Sequence, residues 1–249
     1  MTPEGTDARP AVLEFFAGGG MARLGLGDGW RTAFVNEWDA KKAAAYGARF
    51  ATPAVREVDV ATLEVDDLPA GAALAWASFP CQDLSLAGGR AGLDGARSGT
   101  FHAFWRLMRG LRARGDAPPL VVLENVPGLV TSAGGRDFVA LIEALADGGY
   151  RVAPLIMDAK SFVPQSRPRL FVVAVDAAVD VPDALRDVEP SDLWHPRALR
   201  RAVEALPFDL RRRTWWAHPP APPRDVVPLE TLVEETPSGV EWHAPEETA

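Results

Sequence analysis

Val12-Leu13-Glu14-Phe15-Phe16-Ala17-Gly18-Gly19-Gly20-Met21 carries three signals in order. Val12 to Phe16 is a run of strand length, Ala17 to Gly20 is a glycine turn, and Met21 to about Gly27 is helical in pattern. A strand, a glycine turn and a helix start in that order let backbone N–H groups approach a nucleotide-like ligand with no Cβ in the way. The same residues also suit a tight turn that needs positive φ. The rest of the chain decides between the two.

Thr32 to Val35 predicts a second strand, running into Asn36-Glu37-Trp38-Asp39 ahead of an alanine-rich helix from Ala40 to Phe50. Glu37, a little under about twenty residues past the glycines, is placed to accept hydrogen bonds from ribose hydroxyls. Trp38 is placed to stack on an adenine. Read without a ligand, Glu37 is a charge favoured at a helix N-terminus and Trp38 a packing aromatic. Val55 to Val60 predicts a third short strand carrying Asp59, which either reaches the exocyclic amine of that adenine or caps the turn Ala61 to Leu63.

Leu74 to Phe79 has the apolar continuity of a strand buried on both faces of a parallel sheet, and Pro80 stops it. The chain's single cysteine, Cys81, follows at once. Alone, a cysteine is a small apolar residue; at the carboxyl end of a central strand it stands where open α/β sheets do their chemistry. The stretch from Gly88 to Arg97 is glycine-rich, holds two arginines, and reads as a loop able to close over a ligand. Gly99 to Arg114 predicts an amphipathic helix whose Phe101, Phe104, Trp105, Met108 and Leu111 form a core stripe and whose arginines form a solvated face.

Leu120 to Leu123 predicts another strand, ending in Glu124-Asn125-Val126-Pro127-Gly128. A carboxyl there is suited to share a proton with a ring nitrogen, or to cap the next turn. Asp137 to Ala146 predicts a helix closed by Gly148-Gly149, and Tyr150 to Asp158 and Arg169 to Val175 two further strands, read as an antiparallel pair at the sheet edge. Between them, Gln165-Ser166-Arg167-Pro168-Arg169 presents two arginines in an extended loop, suited to a phosphate or a polar base edge. Past Asp176 proline becomes frequent, and Arg211-Arg212-Arg213-Thr214-Trp215-Trp216 reads either as a nucleic-acid contact or as a packing anchor.

At 249 residues, 47% hydrophobic and 24% charged, the chain can bury a full-sized core. No run has the length of a membrane span and Met1 to Pro10 lacks the parts of a signal peptide, so the expected location is cytoplasmic. One cysteine excludes an internal disulfide, and His102, His195, His218 and His243 lack metal-ligand spacing, so no metal is expected. The net charge of −8 runs against a chain that grips phosphate backbones by itself.

Five strand ends, after Phe16, Val35, Val58, Phe79 and Leu123, each present a chemically functional residue. A doubly wound, mostly parallel α/β sheet puts all of them on one edge. Taken in order, Phe15-Phe16-Ala17-Gly18-Gly19-Gly20, Asn36-Glu37-Trp38-Asp39, Asp59, Phe79-Pro80-Cys81-Gln82 with Leu84-Ser85, Glu124-Asn125-Val126 with Gly128, and Gln165-Ser166-Arg167-Pro168-Arg169 resemble the DNA cytosine-5 methyltransferase family.

The resemblance covers roughly residues 12 to 176. It implies the Rossmann-like sheet of S-adenosylmethionine-dependent methyltransferases with its last strand antiparallel, S-adenosyl-L-methionine as methyl donor, and DNA as partner. It implies Cys81 as nucleophile, with Glu124, Arg167 and Arg169 holding the base. It implies Phe15, Ala17, Gly18, Gly20, Glu37, Trp38, Asp59 and Pro80 at the donor, and Gln82, Ser85, Asn125 and Gln165 at the substrate. The expected division is a catalytic domain over 11–176 and the start of a target-recognition region over 177–249.

The family's later recognition and closing segments find no match here. The expectation is therefore a truncated or split enzyme, with a second chain supplying recognition and the missing basic surface. Rival readings are an accessory subunit that keeps the fold without catalysis, an RNA cytosine-5 methyltransferase, and a nicotinamide-dependent oxidoreductase. The last shares the glycine turn and Glu37 but has no use for Pro-Cys-Gln followed by Glu-Asn-Val.

Overall fold

The computed structural model describes residues 7–50, 54–80, 99–223, 225–234 and 238–239. Cys81, Gln82, Ser85 and the Gly88 to Arg97 stretch lie outside the described residues. The described chain divides into two units, 7–157 with 168–220, and 158–167 with 221–239.

The first unit is built on a six-stranded sheet. Its strands are β1 (Ala11–Phe15), β2 (Arg31–Asn36), β3 (Ala72–Ala77), β4 (Leu120–Asn125), β5 (Tyr150–Asp158) and β6 (Pro168–Asp176), in the spatial order β2-β1-β3-β4-β6-β5. The pairs β1–β2, β1–β3 and β3–β4 are parallel, and β4–β6 is antiparallel. The fold is therefore the doubly wound α/β sheet that the strand pattern predicts. The two last strands are neighbours at the edge, with β6 inserted between β4 and β5. Chain order reverses at β1, which has β2 on one side and β3 on the other, and the carboxyl ends there form the switch-point crevice.

All five residues of β1 are buried, as its apolar run requires, yet one is Glu14. Helix α1 (Met21–Leu26) follows the glycine turn and buries none of its residues. Helix α2 (Ala40–Arg49) starts at Asp39, whose side chain accepts from the N–H groups of Lys41 and Lys42. Helix α3 (Thr100–Ala113) turns Phe101, Phe104, Trp105, Leu107, Met108 and Leu111 into the core. Gly110 lets it close on the loop beneath, because a Cβ there would stand 2.2 Å from Val65 Cγ2. Helix α4 (Arg136–Asp147) covers the same core with Phe138, Leu141, Ile142 and Leu145.

Two expectations change. Val55 to Val60 is not a strand: Arg56 makes one parallel bridge to Asn36, and the chain then turns at Val60–Thr62. The ladder stops because the Asn36 side chain, rather than a further backbone N–H of β2, takes the carbonyl of Val58. The arginines of α3 are not simply a solvated face. Arg106 donates to the carbonyls of Ala61 and Leu63, Arg114 to those of Val65 and Leu68, and Arg112 pairs with Asp176 at 2.6 Å over the Tyr150 ring.

Residues of the Arg211 to Trp216 cluster make packing contacts. Arg213 donates to the Ala146 carbonyl, Trp215 N–H to that of Val152, and the Trp216 ring lies 4.7 Å from that of His195. Helix α5 (Arg197–Glu204) adds Leu199 and Val203 to the main core, followed by the short α6 (Phe208–Arg211). A small ribbon pairs β7 (Arg186–Asp187) with β8 (Trp216–Ala217). In the second unit, the Asp158 carboxylate accepts from the N–H groups of Lys160 and Arg167 and from the Ser166 hydroxyl, which fixes the turn at Ala159–Ser161.

Candidate active site

At the carboxyl end of β1 the backbone turns through positive φ at Phe16 (55°), Gly18 (54°) and Gly20 (87°). A side chain on Gly20 would collide with α2, its Cβ standing 2.4 Å from Phe50 Cε2 and 3.0 Å from the Tyr46 ring. Gly18 and Gly19 instead have no described residue within 4 Å of where a Cβ would stand, which leaves their backbone bare of packing among the described residues. The Glu37 carboxylate, only 7% exposed, accepts from Gly18 N–H at 2.7 Å and from Asp39 N–H at 2.9 Å. It therefore joins the glycine turn to the end of β2. Ala17 N–H donates to the Asn36 carbonyl and closes the same corner. Trp38, beside Glu37, is 71% exposed, an open ring face next to a carboxylate.

The Phe15 ring is fully buried against Phe34 and Phe104. Its side chain belongs to the core, and the half-buried aromatic at this strand end is Phe16. Under the turn, Tyr46 donates to Glu14 Oε2 at 2.9 Å, while Glu14 Oε1 is buried with no hydrogen-bond partner among the described residues. Burial pushes the Glu14 carboxyl above the ordinary carboxylate range, against the Tyr46 hydrogen bond, which pulls it down. Sequence reading passed over Glu14 and Tyr46. The available signal was a lone carboxylate inside an otherwise apolar strand.

Asp59 caps the Val60–Thr62 turn by accepting from Ala61 N–H at 2.9 Å, the capping alternative that its sequence context allows. Among the described residues its second oxygen accepts no hydrogen bond. Asn36, 1% exposed, donates to the carbonyls of Arg56 at 3.1 Å and Val58 at 2.8 Å.

At the ends of β3 and β4, Asn125 is 6% exposed; it donates to the Phe79 carbonyl at 3.0 Å and accepts from Val126 N–H at 2.9 Å. Its carboxamide thereby ties the ends of two strands together. Pro80, exposed, leads from there into Cys81. Glu124 Oε1 meets Arg169 Nε at 2.9 Å, with both side chains about a fifth exposed at 23% and 21%. The antiparallel register explains the meeting. Glu124 stands opposite Phe171, and Arg169 is the diagonal neighbour on the same face. Arg169 also donates to the Pro168 carbonyl at 2.8 Å. Gln165 and Arg167 are exposed residues of the second unit, where Arg167 N–H is held by Asp158 at 2.7 Å.

This ordering of a glycine turn, a strand-end carboxylate and a Glu–Arg pair along one sheet edge is matched over residues 11–205 by the family described as C-5 cytosine-specific DNA methylase. The chain belongs to that family. It is 32% identical over 166 residues to the type II methyltransferase M.Bsp6I of Bacillus sp. (strain RFL6), covering 65% of this chain and 51% of that protein. It is 35% identical over 165 residues to M2.BsuMI of Bacillus subtilis (strain 168), covering 66% and 41%. The chain thus spans about half the length of the curated relatives it matches. The crystal structure of the S. pombe Dnmt2 methyltransferase superposes with a TM-score of 0.57 at 21% identity over 70% of this chain and 53% of that one, which places this C-5 cytosine methylase domain in the same fold.

Proposed function

We propose that the chain carries the donor-binding and nucleophile-bearing part of a DNA (cytosine-5-)-methyltransferase. The observation that supports this most is the convergence, at the carboxyl edge of one sheet, of the open glycine turn braced by Glu37 and the Glu124–Arg169 pair. S-adenosyl-L-methionine fits the first of these: bare backbone at Gly18 and Gly19 for close approach, a carboxylate for ribose hydroxyls, and the exposed Trp38 ring for an adenine. When bound, it supplies the electrophilic methyl group.

Cytosine C5 becomes nucleophilic only when the ring's aromaticity is broken, and the Cys81 thiolate does this by adding at C6. Glu124 contacts N3 and the exocyclic amine of the base, and Arg169 steadies the carboxylate and the charge that develops on the ring. After the methyl group has bonded to C5, loss of the C5 proton to a base and breakage of the C6–sulfur bond restore the ring and free Cys81. Both ring atoms are inaccessible in a stacked duplex, so the base must be flipped out at a cost of a few kcal/mol. Gln82, Ser85, Gln165 and Arg167 are assigned to contacts with DNA.

We assign the region from 177 onward to target recognition, completed by a further segment or a second chain. Two features favour this: the net charge of −8, and the apolar surface beside the glycine turn, where α1 buries nothing and leaves Met21 and Leu24 exposed at 76% and 52%. The test is labelled methyl transfer from S-adenosylmethionine to duplex DNA and, separately, to tRNA, beside donor binding by calorimetry, for the parent and Cys81→Ser. Cys81→Ser should bind donor within about twofold of the parent and lose transfer to DNA by about a thousandfold or more. Transfer within about tenfold of the parent, transfer to tRNA alone, or no donor binding would overturn the assignment.

A further inference from the structure

Asp59 stands on a segment that the sheet barely holds. Among the described residues a single backbone bridge, Asn36 to Arg56, pairs it with β2, and the chain turns away two residues later. A carboxylate that reads a ligand must nevertheless stay within a few tenths of an ångström of its place. Two side chains from elsewhere supply the missing restraint. On the N-terminal side, the buried Asn36 amide spends both of its N–H groups on the carbonyls of Arg56 and Val58. On the C-terminal side, the Arg106 guanidinium of α3 forks onto the carbonyls of Ala61 at 3.2 Å and Leu63 at 2.6 Å, and pairs with Glu64 at 3.1 Å. Asp59 sits between these clamps, one oxygen committed to its own turn and the other without a partner among the described residues.

We propose that Asn36 and Arg106 are positioning residues that set the specificity of the donor site, by fixing the Asp59 carboxylate to accept from the exocyclic amine of adenine. The inference rests on the donor-binding function proposed above and adds to it the residues that make the site selective for adenine over a 6-oxo purine. A carboxylate accepts a hydrogen bond from a 6-amino group, whereas a 6-carbonyl oxygen faces it as a second acceptor and is repelled. Discrimination therefore reports where Asp59 is, while overall affinity also reports the ribose and amino-acid contacts.

The experiment compares S-adenosylhomocysteine with S-inosylhomocysteine, which differs in carrying hypoxanthine for adenine, by calorimetry on the full chain. The parent should prefer the adenosyl compound by about thirtyfold or more. Arg106→Ala, on a side chain 37% exposed, should cut that ratio to about threefold or less while binding of the inosyl compound stays nearly constant. Arg106→Lys should restore it only in part, because one ammonium on a shorter reach must serve the two carbonyls and Glu64, which Nη2 and Nη1 of the guanidinium divide between them. Asn36→Asp, which keeps the shape but faces two carbonyl oxygens with acceptors, should act in the same direction.

Arg114→Ala is the control. Arg114 makes the same kind of contact to Val65 and Leu68, beyond Asp59, so its loss should lower the melting temperature yet leave the ratio unchanged. A ratio in Arg106→Ala within twofold of the parent, or one that falls equally in Arg114→Ala, would overturn the proposal. A parent that binds both compounds equally would also overturn it while leaving the donor site standing. A parent that binds neither would remove the proposed function itself, and this inference with it.

Discussion

The two halves of the sheet edge are held by different means. On the β1–β2 side the polar groups are buried and locked to backbone: Glu37 spends both oxygens on N–H groups, Asn36 spends its amide on two carbonyls, and Glu14 lies beneath them at 1% exposure. On the β3–β4 side one buried asparagine ties the strand ends, but the groups that would meet a base, Glu124 and Arg169, are half-buried and, among the described residues, hold only each other and one carbonyl. The donor side is part of the fold, whereas the acceptor side is mounted on it. Substitutions on the first should cost stability and binding together, and those on the second should cost activity alone.

The sharpest way to break this contrast is Glu124→Gln. It should lower kcat by about 10²–10³-fold, since a group that shares a proton with the ring is lost. Stability should fall by no more than about 1 kcal/mol, the range for a partly exposed ion pair. Steady-state kinetics beside a thermal melt checks both, and a large drop in melting temperature would mean that the acceptor side is structural too.

Gly20→Ala should give the opposite pattern. The new methyl group must push the Phe50 and Tyr46 rings away and holds φ at 87°, so a loss of about 2 kcal/mol is expected. Donor affinity should weaken in parallel, as read by denaturant melts and calorimetry on one preparation. Unchanged stability with lost binding would show the turn to be a ligand contact only.

The smallest effect belongs to Glu14→Gln, which should change stability at neutral pH by less than about 1 kcal/mol. Its signature is in the pH dependence. Because burial raises the folded carboxyl's pKa above its unfolded value, the folded state holds the proton longer. The stability linked to that proton is complete below the unfolded pKa, near 4.5, and is lost as pH rises through the folded value. Denaturant melts from pH 4 to 8 should show that slope in the parent and a flatter curve in Glu14→Gln.

Much of this was legible in the chain. The run Val12 to Phe16, the glycines after it and the Pro80 stop are local signals, and each became the element it predicts within a residue or two. Val55 to Val60 misled because a short valine-rich run suits a strand wherever it occurs, and nothing local says that the Asn36 side chain, about twenty positions back, will take the carbonyl of Val58. Asn125 shows the same limit: nothing beside Glu124 says that its amide reaches the carbonyl of Phe79, 46 positions earlier.

By itself the sequence determined the order of strands and helices, the turn chemistry and the types of residue that reach the sheet edge, because periodicity, glycine and proline act over a few neighbouring residues. Tertiary structure alone decided which of those residues face the crevice and which brace it. Phe15 went to the core, Arg106 onto the carbonyls of the Asp59 segment, and Tyr46 onto Glu14. Those choices join residues 32 to 89 positions apart, and a buried polar group is satisfied only by whatever the completed fold brings within about 3 Å of it.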